Sequence, residues 1–234
     1  MKQTTLLLST LAVSGMLACS ASAQGSLGLN FSSTPGSTIQ FNGAASSFQF
    51  NPSTSSIFGG VFLGSQWIIG SQTGGSGGGV GLKGLFNNGP FSYGPITTVG
   101  SEQSATVTGP TGQLVIQDGS GFDLTGNIDW LQISTFNSSG AINADLVVNV
   151  TGLNYAGSNP DLLTLVANGP GALNLTYQFS PGKTLSDLTK GSGSYQTSYS
   201  GSLSVVPEPT STVCLLLGLG ALTLSRRKIF SKRA

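Results

Sequence analysis

Two stretches of the chain alternate apolar and polar residues with a period of two. Ile142, Ala144, Leu146, Val148 and Val150 share one parity, and Asn143, Asp145, Asn149 and Thr151 take the other, with Val147 the one apolar residue on the wet side. Leu173-Asn174-Leu175-Thr176-Tyr177-Gln178-Phe179 alternates without exception. Successive side chains of a strand point to opposite faces, so both segments predict half-buried β-strands. Ile39-Gln40-Phe41 and Phe48-Gln49-Phe50 flank Asn42-Gly43-Ala44-Ala45 and read as a hairpin. Further strands are expected over 57–63, 67–69, 105–108, 113–117, 127–135, 162–167 and 195–205. Within Ile128-Asp129-Trp130-Leu131-Gln132-Ile133 the apolar parity switches, which predicts a bulge.

Turn chemistry separates these runs at short intervals, as in Gly109-Pro110-Thr111-Gly112 and Asn168-Gly169-Pro170-Gly171. A helical turn is expected only between Lys183 and Lys190. The glycine-dense stretch from Gln72 to Gly84 reads as a flexible loop, because no Gly-Lys-Ser/Thr follows that would make it a phosphate cradle. Many short strands without intervening helices predict an all-β fold: a single antiparallel domain, sandwich or jelly-roll-like.

The two ends carry a different pattern. Lys2 precedes an apolar stretch from Leu6 to Leu17, and Ala21-Ser22-Ala23 fits the small-residue rule for signal cleavage. Residues 1–23 therefore read as a secretory signal peptide and 24–204 as the exported domain. Lipidation at Cys19 is an alternative, weakened by Met16 where such a motif usually has leucine. Over 205–234, Val206-Pro207-Glu208-Pro209 is followed by an apolar run from Val213 to Leu224 and a basic end of Arg226, Arg227, Lys228, Lys232 and Arg233. As a helix, that run covers only about 18 Å of a hydrocarbon core near 30 Å. Its basic end would stay on the cytoplasmic side, leaving the Pro-Glu-Pro motif near the outer interface.

This tail resembles the PEP-CTERM sorting signal of bacterial exported proteins, with all three parts in order at the extreme C-terminus. The resemblance implies processing near the motif by an exosortase-like enzyme, after passage through the export machinery and at least transient residence in the inner membrane. It also implies a place at the cell surface or in the extracellular matrix, in association with polysaccharide. An ordinary tail anchor on an outward-facing domain is the alternative reading of the same residues.

Composition narrows the chemistry of the domain. Charged residues make up 7% of the chain, against about 25% in ordinary domains. Between Gln24 and Val206 the cations are Lys83, Lys183 and Lys190, set against seven carboxylates, so no basic patch is available for nucleic acid. Both cysteines, Cys19 and Cys214, lie in the end segments, and the chain has no histidine. That excludes Ser-His-Asp and Cys-His catalysis and zinc sites of the usual ligand types. No cofactor is expected.

Asp118, Ser120 and Asp123 form one tight cluster of oxygen ligands, a weak candidate for Ca²⁺ that lacks the spacing of an EF-hand. Asp129 and Asp145, on predicted strands, are a candidate acid–base pair for glycoside cleavage. Trp67, Trp130 and the tyrosines at 93, 155, 177, 195 and 199 could offer a sugar-stacking face. The reading that results is a non-enzymatic surface or matrix protein. A carbohydrate-binding or adhesive β module is the alternative, and a carboxylate-based hydrolase comes third.

Overall fold

Among the described residues the alternation of apolar and polar positions builds fourteen antiparallel strands. In the computed structural model the described residues are 26–52, 64–87, 89–136 and 142–205. In chain order the strands are β1 (Leu27–Ser33), β2 (Thr38–Asn42), β3 (Ser47–Asn51), β4 (Gly64–Thr73), β5 (Lys83–Asn87), β6 (Phe91–Tyr93) and β7 (Thr97–Val99). They continue as β8 (Glu102–Thr108), β9 (Gly112–Gln117), β10 (Asp123–Phe136), β11 (Ile142–Asn154), β12 (Gly171–Phe179), β13 (Ser194–Thr197) and β14 (Tyr199–Val205). Two short helices interrupt them, α1 (Pro160–Ala167) and α2 (Leu185–Leu188).

Eight of the strands close into a ring in the order β11-β12-β14-β1-β4-β5-β9-β10, and β10 pairs back onto β11. The all-β antiparallel expectation therefore holds, but the sheet curls into a barrel where an open sandwich or jelly roll was expected. The physical cause lies in β10 and β11, which run 14 and 13 residues and are bent by register shifts. The shift between Trp130 and Gln132 falls where the parity of the sequence switches. Such bulges raise local twist and let a sheet turn a corner. Beyond that point β10 pairs with β8 over Gln132–Phe136, starting a second sheet in the order β10-β8-β6-β3-β2-β13.

Inward positions of the ring carry Leu29, Phe31, Trp67, Ile69, Phe86, Leu114, Ile116, Ile128, Val148 and Leu203, all buried. An eight-stranded barrel has an interior just wide enough for such side chains to fill. The second sheet adds Ile39, Phe41, Phe48, Phe91 and Val107 to the same cluster. The outward residues of this sheet partly bond to one another. Gln196 Nε2 donates to Gln40 Oε1 at 3.0 Å, Asn51 Nδ2 donates to the same oxygen, and Gln49 Nε2 reaches Asn51 Oδ1 at 2.9 Å.

The segment 162–167, expected as a strand, is instead the body of α1. Asn159 caps it, its side chain accepting from the N–H groups of Asp161 and Leu162, and Pro160 stands in the first turn. Pro at that position sacrifices no helical hydrogen bond, and Asn is among the best N-caps. Leu162 and Leu165, three apart, face inward together. The helical turn expected between Lys183 and Lys190 is α2, closed by a reciprocal capping box between Thr184 and Asp187. The expected strand at 57–63 lies outside the described residues.

Candidate functional site

One end of the barrel gathers three segments that lie far apart in sequence. The β4–β5 connection, the β9–β10 turn and the stretch from Tyr155 through α1 meet there in one hydrogen-bonded network. Asp161, in the first turn of α1, is 1% exposed. Its Oδ1 accepts the Ser76 N–H at 2.6 Å, and its Oδ2 accepts the Ser76 hydroxyl at 2.9 Å and the Gly79 N–H at 3.0 Å. Burial works to raise this carboxyl, but hydrogen bonds from Ser76, Gln72 and Gly79 outweigh it and hold the group below the ordinary carboxylate range.

The glycine-dense stretch is thus an ordered nest of N–H donors closed on a carboxylate of the same chain, rather than a flexible loop. Gly75 shows why glycine is needed. Its φ is +68°, and a Cβ there would run into the Asp161 carboxylate and the Gln72 amide. The Asn159 side-chain amide, donating to the Gly78 carbonyl at 2.9 Å, ties the helix cap to the same loop. The sequence signal for this arrangement is Asn159-Pro160-Asp161, a cap followed by an acid in the first turn.

At the β9–β10 turn, Asp118 Oδ1 accepts the N–H groups of Ser120 and Phe122 at 2.7 and 3.2 Å. Its Oδ2 accepts the Ser120 and Tyr155 hydroxyls at 2.6 and 2.7 Å. Tyr155 in turn accepts the Asn159 N–H at 2.9 Å. Burial pushes the Asp118 carboxyl up, but these four donors pull it down to about 2. Asp123 is shifted the other way, by burial and by the charge of Asp118 nearby. Of the proposed calcium ligands, Asp118 and Ser120 are engaged with each other. Among the described residues no group of three or more His, Cys, Asp or Glu side chains could hold a metal ion. Tyr155→Phe, which deletes the link from the turn to α1, is expected to cost about 1 kcal/mol, read as a shift in the urea midpoint.

The structure does not bring the candidate acid–base pair together. Asp129 stands opposite Asn149, and Asp145 opposite Ser134. They are offset by four positions along β11, about 13 Å at the rise of a strand, against the roughly 5–9.5 Å that glycosidases use. Nor do the aromatic residues make an exposed row. Trp67, Trp130, Tyr93, Tyr155, Tyr177 and Tyr199 are all 7% exposed or less. Trp130 stacks on Phe50 at 5.1 Å and meets Phe91 at 5.2 Å, so it belongs to the core. Of the seven rings, Tyr195 is the one partly open, with Lys183 4.3 Å above it. Desolvation drives the Tyr93 hydroxyl up to about 12.

The signal-cleavage residues Ala21 and Ala23, the motif Val206-Pro207-Glu208-Pro209 and the basic residues 226–233 lie outside the described residues. Among the described residues no helix is long and apolar enough to cross a membrane. Outward positions on β12, β14 and β1 carry Asn174, Thr176, Gln178, Ser200, Ser202, Asn30 and Ser32. That wall is polar outside and apolar inside, the reverse of a barrel whose outer surface meets lipid. No protein-family model, curated protein or solved structure matches the chain.

Proposed function

We propose that the chain is an exported, non-enzymatic cell-surface or extracellular-matrix protein, delivered through a secretory signal and a processed C-terminal tail and associated with exopolysaccharide. The observation that carries this reading is the position of the tail. The last described strand ends at Val205, paired with Leu27 on one side and Gly171 on the other. The Val206-Pro207-Glu208-Pro209 motif begins at the next residue, followed by the short apolar run and the basic end. Cutting there removes no described strand, so a processing enzyme can take the tail and leave the barrel intact.

Support for a non-enzymatic role comes from the carboxylates. Asp118 and Asp161 are spent on backbone and hydroxyl donors of their own surroundings. Asp187 is spent on the cap of α2, where the Thr184 N–H first and then its hydroxyl hold the carboxyl below its ordinary range.

The test is the intact mass and C-terminal peptide map of the protein recovered from native cells, with envelope and culture matrix separated. Loss of everything beyond about residues 207–209 is the expected result. Recovery of Arg226–Ala234 on a membrane-bound mature chain would overturn processing and leave a plain tail anchor.

A further inference from the structure

The outer wall formed by β12, β14 and β1 carries a trough that the network at the barrel end does not use. The register sets its rows: Asn174 lies opposite Ser202, which lies opposite Asn30, and Thr176 lies opposite Ser200, which lies opposite Ser32. Two depressions of about 550 and 470 Å³ sit on this wall and share Thr176 and Ser200, so they form one continuous trough.

Two features bear on what it can bind. First, its hydrogen-bonding groups are largely unspent. On the second sheet, by contrast, the amide row of β13, β2 and β3 is bonded to itself. Within the trough Thr176 and Ser200 are tied hydroxyl to hydroxyl at 3.1 Å, the Ser33 hydroxyl accepts the Tyr199 N–H at 3.2 Å, the Tyr199 hydroxyl donates inward to Ser65, and Asn30 reaches out to Ser71. The side chains of Ser32, Asn174, Gln178, Ser180, Ser198 and Ser202 make no hydrogen bond with other described residues. Second, none of the described residues lining it is charged. By register the nearest charged residue is Asp145, opposite Thr176 at the β11 margin.

Hydroxyl and amide groups both donate and accept, and so do the hydroxyls of a sugar. Val147, 42% exposed and paired with Asn174, adds an apolar contact for a sugar's C–H face. A carboxylated or sulfated polymer would find no cation in the trough itself: in the row of Thr176, Ser200 and Ser32 the one cation, Lys83, lies two strands beyond Ser32 across Ile68, while Asp145 stands one strand from Thr176. From this geometry we infer that the trough binds a neutral polysaccharide, one uncharged chain lying along β14. No aromatic ring is exposed there to stack on, so the site holds its polymer weakly. The inference deepens the matrix reading above and rests on it only for the source of the polymer.

The test titrates the mature protein with two neutral glucans, dextran and laminarin, and with acidic alginate, by affinity electrophoresis and by amide NMR shifts. The expected result is retardation by a neutral glucan, with shifts confined to β12, β14 and β1, and none by alginate. Ser202→Glu and Asn174→Ala, both on the outer wall, should weaken binding about tenfold and threefold. Thr106→Glu on the second sheet should leave it unchanged, and all three should melt close to the parent. The inference is overturned if neither glucan retards the protein, if alginate does so more strongly, or if the trough variants bind like the parent. None of those results bears on the tail, whose processing is read separately by mass.

Discussion

Asp161→Ala is expected to cost about 3–4 kcal/mol and to lower the melting temperature by about 10 °C. The carboxylate is buried and accepts three hydrogen bonds from Ser76 and Gly79. Hydrogen bonds to a charged acceptor contribute about 1.5–3 kcal/mol each, and donors left buried without a partner lose their hydration as well. Asp161→Asn should cost less, about 1–2 kcal/mol, since one oxygen still accepts while the new NH2 faces donors. The pH dependence follows from the direction of the shift. A carboxyl whose folded pKa lies below its unfolded value of 3.8 stabilises the fold fully at pH above that value. The contribution fades as pH falls through the folded value. The gap between parent and Asp161→Asn should therefore be widest at neutral pH and shrink steadily below about pH 4. Urea unfolding at a series of pH values measures it. A gap that stays constant into acid would show that the nest does not hold an ionised group.

Gly84→Ala is the second large effect, and it should depend on Trp67. The two residues face each other across β4 and β5. A Cβ at position 84 would overlap the six-membered ring of the Trp67 indole. That ring has nowhere to move, being 4.4 Å from Phe31 and 5.4 Å from Phe86 between ring centres. Gly84→Ala alone should cost about 3 kcal/mol, at the high end for overpacking. Trp67→Ala alone should cost about 3–5 kcal/mol through the cavity it leaves. In the double variant the added methyl enters that cavity, so the combined loss should fall at least about 1 kcal/mol short of the sum. Strict additivity would mean that the close approach of glycine and indole does not govern packing at this point.

Local pattern made much of the fold legible. The alternation at 173–179 gives β12 as it stands, the parity switch near Trp130 marks the register shift, and Asn42-Gly43 ends β2. The sequence reading failed at residues 162–167, where a short apolar run fits strand and helix equally. Asn159-Pro160-Asp161, just upstream, carried the information that decides between them. It failed again at Gly74–Gly79, because a glycine-rich stretch looks the same whether it is loose or wrapped around a partner. The partner, Asp161, lies more than eighty residues away.

The chain by itself determined the β class, the apolar and polar side of strands such as β12, and the absence of His and Cys chemistry from the domain. These depend on neighbours one to four residues apart, where the steric and hydrogen-bonding rules of the backbone act directly. Tertiary structure alone decided that the sheet closes, that Trp67 and Trp130 point into the core, that Asp129 and Asp145 stand apart, and that three polar strands lie side by side to form a trough. Each of these is a matter of register between distant segments. Register is selected by packing of the whole core, because slipping one strand by a single residue would turn its apolar side to water.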